Sequence, residues 1–239
     1  MRNVLILTRR ELSSYFVSPI AYVAMALFLA ATGFVFAFLG TFSSGQPAHM
    51  GNVFYAISFV LVLVIPILTM RSFAEERGSG TLETLMTAPV TDVEVVLGKF
   101  LGCWALYLVM LAPTLLYVVM LASFGEPDYG PVASGYVGLA LVGALYVSVG
   151  VLASSLTRNQ VIAAVVGFAI LAVLAWISQL VAMLTPAPYR TVARQISVPT
   201  HYLDFSQGVV DVVQVIYFVA LTVYVLFFTV KILESRRWR

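Results

Sequence analysis

Few residues in this chain could do chemistry. Gly98-Lys99 resembles the close of a phosphate-binding loop, in which glycine amides cradle phosphates and a lysine reaches the terminal ones. The spacing rules that out, because the first glycine position is Val93 and the residue after the lysine is Phe100 rather than Ser or Thr. His49 and His201 each stand without a second His, a Cys or grouped carboxylates at metal-ligand spacing, so both read as hydrogen-bonded loop residues. Cys103, the single cysteine, falls in an apolar run; it reads as a small buried residue and allows no internal disulfide. There is no Gly-x-Ser-x-Gly elbow. An intramembrane proton relay needs buried acids or histidines, yet Asp211, Lys99 and Lys231 lie at the edges of apolar runs. The chain reads as a non-enzyme with no cofactor or metal of its own.

The elements around these residues are built for lipid. Hydrophobic residues make up 61% of the 239 and charged residues only 10%, with a mean hydropathy of +0.99. Soluble domains carry about a quarter charged residues. Runs of about 20 apolar residues cross a bilayer as helices, because lipid offers the backbone no hydrogen-bond partners. Six such runs are expected at about 19–41, 52–70, 97–123, 132–156, 159–184 and 210–231, with Pro66 and Pro113 inside spans. No internal repeat interrupts them. The expected fold is an all-α integral membrane protein, one transmembrane domain over 1–239.

Lys and Arg counts set the expected orientation. With the N-terminus inside, 11 of the 13 fall on the cytoplasmic side and only Arg190 and Arg194 outside. Both termini are then cytoplasmic. The stretch before the first span, 1–18, mixes Arg9, Arg10 and Glu11 with Leu12, Tyr15 and Phe16, the pattern of a helix lying on the inner membrane surface. The loops near 42–51 and 124–131 are short, and the turn around Thr157, Arg158 and Asn159 is a tight cytoplasmic hairpin. The connection at 185–209 is different. It mixes Tyr189, Ile196, Val198, Tyr202, Leu203 and Phe205 with prolines, which predicts packed or interfacial segments.

The most unusual stretch is "RSFAEERGSGTLETLMTAPVTDVEVVLGKF", 71–100, which holds five of the 11 acidic residues. Arg71 marks the membrane edge, and Glu75, Glu76 and Arg77 carry the helical register into water. Gly78 and Gly80 break the register. Ser79 is the expected N-cap of a short helix over about 80–87, on which Leu82, Leu85 and Met86 form an apolar stripe at i, i+3, i+4. Glu83 faces elsewhere, and Ala88-Pro89 ends the helix. Thr91 and Glu94 form a capping box that launches the third span, and Lys99 is expected to snorkel to the interface. From periodicity alone, an ordinary solvated loop remains open beside a rigid mounted helix that seeks a partner groove.

"EERGSGTLETLMTAPVTDVEVVLGKFLG" closely resembles the segment of type-2 ABC transporter permeases that reads loosely E-x-G-T-L-E-x-L-x-x-x-P…G-K. "RRELSSYFVSPIAY" at 9–22 is similar to that family's N-terminal interfacial helix, and "HYLDFSQGVVD" at 201–211 to its segment before the last span. Within the family, the likeness is greatest to compact permeases of the gliding-motility and nitrous-oxide-reductase-maturation groups.

The resemblance implies six spans, an N-terminal interfacial helix, and short re-entrant helices between spans five and six. It makes 71–96 the coupling segment and 80–87 the coupling helix, seated in a groove of a separate cytoplasmic ATPase subunit. The contact would comprise Glu75, Glu76, Arg77, Gly78, Gly80, Thr81, Leu82, Glu83, Leu85, Met86 and Pro89. ATP and Mg would bind the partner, not this chain. Two permease subunits, alike or paralogous, would pair with two ATPase subunits in the inner membrane, in contact with lipid and with no nucleic acid. The expected function is the transmembrane subunit of an ATP-driven exporter. The alternative is a non-transporting scaffold that recruits a cytoplasmic partner. The cargo is not legible.

Overall fold

The computed structural model describes residues 2–39, 50–81, 90–124, 128–184, 186 and 189–237. Among them the chain is helical, without a strand. Its elements are α1 (Arg2–Val17), α2 (Pro19–Leu39), α3 (Gly51–Thr69), α4 (Arg71–Gly78), α5 (Asp92–Leu111), α6 (Leu115–Phe124), α7 (Tyr129–Leu156), α8 (Gln160–Ala172), α9 (Ser178–Leu184), α10 (Tyr189–Ile196), α11 (Val198–Ser206) and α12 (Val212–Arg237). Six helical stretches are long and apolar enough to cross a membrane: Pro19–Phe38, Gly51–Gly78, Asp92–Ser123, Tyr129–Leu156, Gln160–Val181 and Val212–Ser235. The protein is a multi-pass, all-helical membrane protein.

Helix α7 is the axis. It is the most buried of the six spans, and α3, α5, α8, α11 and α12 all pack on it. Tyr107, Tyr146, Tyr202, Phe54 and Phe205 are fully buried around it. Two of the three tyrosine hydroxyls find backbone partners, Tyr107 donating to the Leu139 carbonyl at 2.8 Å and Tyr202 to that of Gly135 at 3.1 Å, whereas the buried Tyr146 hydroxyl has no hydrogen-bond partner among the described residues. A tyrosine in lipid-depth packing usually finds such an acceptor. The spans containing α2, α8 and α12 are the least buried and form the lipid-facing rim.

Irregularities sit where the sequence forces them. Pro113 has no N–H to donate, and the third span tightens there into a 3-10 turn over Ala112–Thr114. Pro66 lies inside α3, and one turn later, at Met70, α3 gives way to α4. The helix therefore runs to Gly78, eight residues beyond the expected end of the second span. The fifth span carries a π-helical turn at Val173–Ile177 that no sequence pattern announced.

Helix α1 does more than lie on the membrane. It packs along the first half of α5 through Gly98 and Gly102. A Cβ at Gly98 would stand 2.6 Å from Leu7 Cβ, and one at Gly102 would stand 2.8 Å from Glu11 Cβ. Any larger residue would push the two helices apart, as in the small-residue seams of membrane helices.

Candidate functional site

The 71–100 segment leaves the bundle at the end that carries α1, α4 and the α7–α8 turn. Its mount starts with Ser154 on α7. That hydroxyl accepts from the Phe73 and Ala74 amides, both at 3.0 Å, and donates to the Met70 carbonyl at 2.9 Å. The first turn of α4 has no intrahelical acceptors for its amides. Ser154, 80 or more residues away, supplies one.

The charged residues of α4 are paired or bonded to neighbours. Arg71 clasps Glu75 with two hydrogen bonds, Nε to Oε2 at 2.7 Å and Nη2 to Oε1 at 2.8 Å, while its Nη1 donates to Ser18 Oγ. Arg77 reaches across to the end of α7, donating to the carbonyls of Ser155 and, at 3.3 Å, Thr157. These carbonyls are the unsatisfied, negative end of a 28-residue helix, where a cation is favoured. Asn159 caps the start of α8, accepting from the Val161 and Ile162 amides. Arg77 thus ties α4 to the α7–α8 turn.

Glu76 joins a buried cluster at Lys99. The Lys99 ammonium lies 2.9 Å from Glu76 Oε2 and 3.3 Å from Glu11 Oε2, donates to the Ser72 carbonyl at 2.6 Å, and rests over the Phe73 ring. Its side chain is 5% exposed. Lys99 therefore does not snorkel. Gly98 and Gly102 hold α1 against α5 so closely that Glu11 meets the ammonium in the interior. Arg10, on the outer side, stands 4.0 Å from Glu76. Burial pushes the Glu11 carboxyl above its ordinary value of 4.5, outweighing the pull of Lys99 in the other direction. A polar cleft of about 230 Å³ opens beside the cluster, between α1 and α4, with Arg10, Ser14, Arg71, Glu75 and Thr81 on its walls.

Helix α4 ends at a reversal. Gly80 takes φ +76°, the left-handed conformation that helix C-terminal glycines favour. Ser79 was expected to cap a following helix, but its backbone is helical and its hydroxyl donates back to Glu75 and Glu76 carbonyls at 2.9 and 3.3 Å. It closes α4. Thr81 Oγ1 also returns to the Glu76 carbonyl at 3.4 Å. Gly78 lies against the Arg158 backbone. Leu82, Glu83, Leu85, Met86 and Pro89, and with them most of the expected helix over 80–87, lie outside the described residues, as does His49. The chain resumes with the expected capping box: Thr91 Oγ1 accepts from the Glu94 amide, and Glu94 Oε2 accepts from the Thr91 amide. Asn3 of α1 adds a hydrogen bond to the same carboxylate at 3.3 Å.

Of the described motif residues, the structure brings Glu76 and Arg77 into contact with other helices and pairs Glu75 within α4. Sequence reasoning missed Glu11, Lys99 and Ser154 as members of the mount. Among the described residues, no group of three or more His, Cys, Asp or Glu could hold a metal ion.

At the opposite end, α10 and α11 fold back on the bundle. Gln179 Oε1 accepts from Ser197 and Thr200 hydroxyls, both at 3.2 Å. His201 meets Gln214 Oε1 through Nδ1 at 2.5 Å and the Gln195 carbonyl through Nε2 at 3.0 Å, and stacks on Tyr217.

The comparisons agree with this architecture. Residues 13–229 match the family model described as ABC-2 family transporter protein. The chain is 25% identical over 204 residues to the inner membrane transport permease YhhJ of Escherichia coli (strain K12), covering 80% of this chain and 53% of that protein. It is 29% identical over 104 residues to the "Probable multidrug ABC transporter permease YbhR" of the same organism, covering 44% of this chain and 28% of that one. The chain thus spans about half or less of these curated relatives. With the family model covering most of its length, the chain belongs to the ABC-2 family of transporter proteins.

Proposed function

We propose that this chain is the transmembrane subunit of an ATP-driven exporter of the inner membrane, powered by a separate cytoplasmic ATPase subunit that binds ATP and Mg. A second permease subunit, identical or paralogous, completes the pair, and both termini face the cytoplasm. Segment 80–87 is the coupling helix, and the chain stands near the compact gliding-motility and nitrous-oxide-reductase-maturation permeases.

The observation that carries this reading is the mount. The segment that bears Leu82, Leu85 and Met86 emerges from α4, which is fastened to α7 by Ser154, to the α7–α8 turn by Arg77 and to α1 and α5 by the Glu76–Lys99–Glu11 cluster. A push on this segment reaches four elements at once. Such rigid connection suits a subunit whose spans rock when a partner moves. The relatives' names, a transport permease and a multidrug permease, accord with transport as the work done.

The test is co-purification. The chain alone is expected to hydrolyse no ATP and to bring down an ATPase subunit from its own cells. Leu82→Asp or Leu85→Asp places a charge on the apolar stripe and is expected to abolish that association or its coupling to transport. Full complex formation and transport by both variants would overturn the coupling assignment.

A further inference from the structure

We propose that the elbow between α1 and α2 is a binding site for the phosphate of an anionic phospholipid. An open groove of about 510 Å³ lies there, and no carboxylate lines it. Its polar atoms are the guanidinium groups of Arg10 and Arg71 and the hydroxyls of Ser13, Ser14 and Ser18. Guanidinium groups and hydroxyls form the donor set that phosphate oxygens accept from.

The sequence of α1 explains how the groove arises. Leu7, Glu11 and Tyr15, at i, i+4, i+8, face α5. Arg10, Ser13, Ser14 and Val17, at i, i+3, i+4, i+7, share the next face and point into the elbow. Arg10 touches Glu76 only at 4.0 Å and keeps 64% of its side chain exposed, so most of its five donors remain available. Arg71 spends two donors on Glu75 and a third, from Nη1, on Ser18 Oγ at the wall of the groove, which leaves two of its five N–H groups. The elbow itself is pinned, since Tyr22 donates across it to the Phe16 carbonyl at 2.8 Å.

Position selects a lipid over a soluble phosphate. Pro19 begins the first apolar span, so the groove opens where headgroups lie. Phe16, Val17, Tyr22 and Val23 are exposed around it and offer an apolar surface to the acyl chains. Glu75 and Glu76 hold Arg71 and Arg10 from the side of the adjoining cleft, while the groove side presents donors and no carboxylate, which favours an anionic headgroup there.

Native mass spectrometry of the full chain in detergent tests this, with phosphatidylglycerol and phosphatidylcholine of the same acyl chains added in turn. Phosphatidylglycerol is expected to be retained in preference. Arg10→Ala should lower that retention about fivefold, the equivalent of about 1 kcal/mol for one basic residue at a membrane surface. Ser14→Asp, which puts a carboxylate into the groove, should lower it as well. Arg9→Ala, also exposed on α1 but outside the groove lining, should leave it unchanged. Equal retention of the two lipids, unchanged retention in Arg10→Ala or Ser14→Asp, or an equal loss in Arg9→Ala would overturn the proposal. Displacement of the lipid by millimolar inorganic phosphate would overturn the lipid as the source. None of these readouts depends on the ATPase partner.

Discussion

At the end that carries α1 and α4, short helices are fastened to long ones by full charges: Lys99 between Glu11 and Glu76, and Arg77 on the carbonyls at the end of α7. At the other end, α10 and α11 are fastened mainly by neutral groups: Gln179 between two hydroxyls and Tyr202 on a carbonyl. The two fastenings respond differently when a partner is lost. Removing one member of a buried ion cluster strands a charge, which costs several kcal/mol; removing a neutral acceptor strands a hydroxyl, which can find water or another carbonyl.

Lys99→Met tests the stronger claim. It leaves the Glu11 and Glu76 carboxylates without their cation and is expected to destabilise the protein by about 3–5 kcal/mol, seen as an early unfolding transition in detergent. Gln179→Leu at the other end is expected to cost about 1 kcal/mol. Equal losses for the two would break the contrast. The smallest effect is in the pH profile. Because Glu11 binds its proton more tightly in the fold than in the unfolded chain, its contribution to stability is fully present below about 4.5 and is lost as pH rises through its raised folded value. Glu11→Gln should flatten that part of the stability–pH curve while leaving Lys99 paired with Glu76. An unchanged slope would mean that Glu11 is not held as the structure places it.

Much of this was legible in the residues and some was not, for reasons that can be stated. The six spans follow from apolar run length, and the Thr91–Glu94 box from spacing within four residues. Of the large apolar residues that mark 185–209 as packed or interfacial, Val198, Tyr202 and Phe205 are buried on α11, whereas Tyr189, Ile196 and Leu203 are exposed. Lys99 reads as a surface snorkeller because nothing within a helical turn of it is acidic. Its partners Glu11 and Glu76 lie 88 and 23 residues away, and only the Gly98–Gly102 seam brings α1 close enough. Ser154 has the same explanation. A serine in an apolar run usually satisfies itself on its own helix, and only the packing of α4 against α7 gives it two foreign amides. Ser79 went the other way, since a glycine-flanked serine caps either neighbour equally well in one dimension. The π-helical turn at 173–177 has no Pro or Gly within it to mark it.

The distance between Glu11 and Lys99 has a consequence for how the protein is made. A ribosome adds about 5–20 residues per second, so Lys99 emerges roughly 4–18 s after Glu11. Through that interval α1 has no α5 to dock on, and Glu11 has no buried cation to meet. The first helix must therefore wait in water or at the headgroups, exposed to proteases and holdases, until the third span is inserted. The closure of the Lys99 cluster is a late step in biogenesis, and an assay of nascent-chain protection should see α1 become resistant only when chains extend past α5.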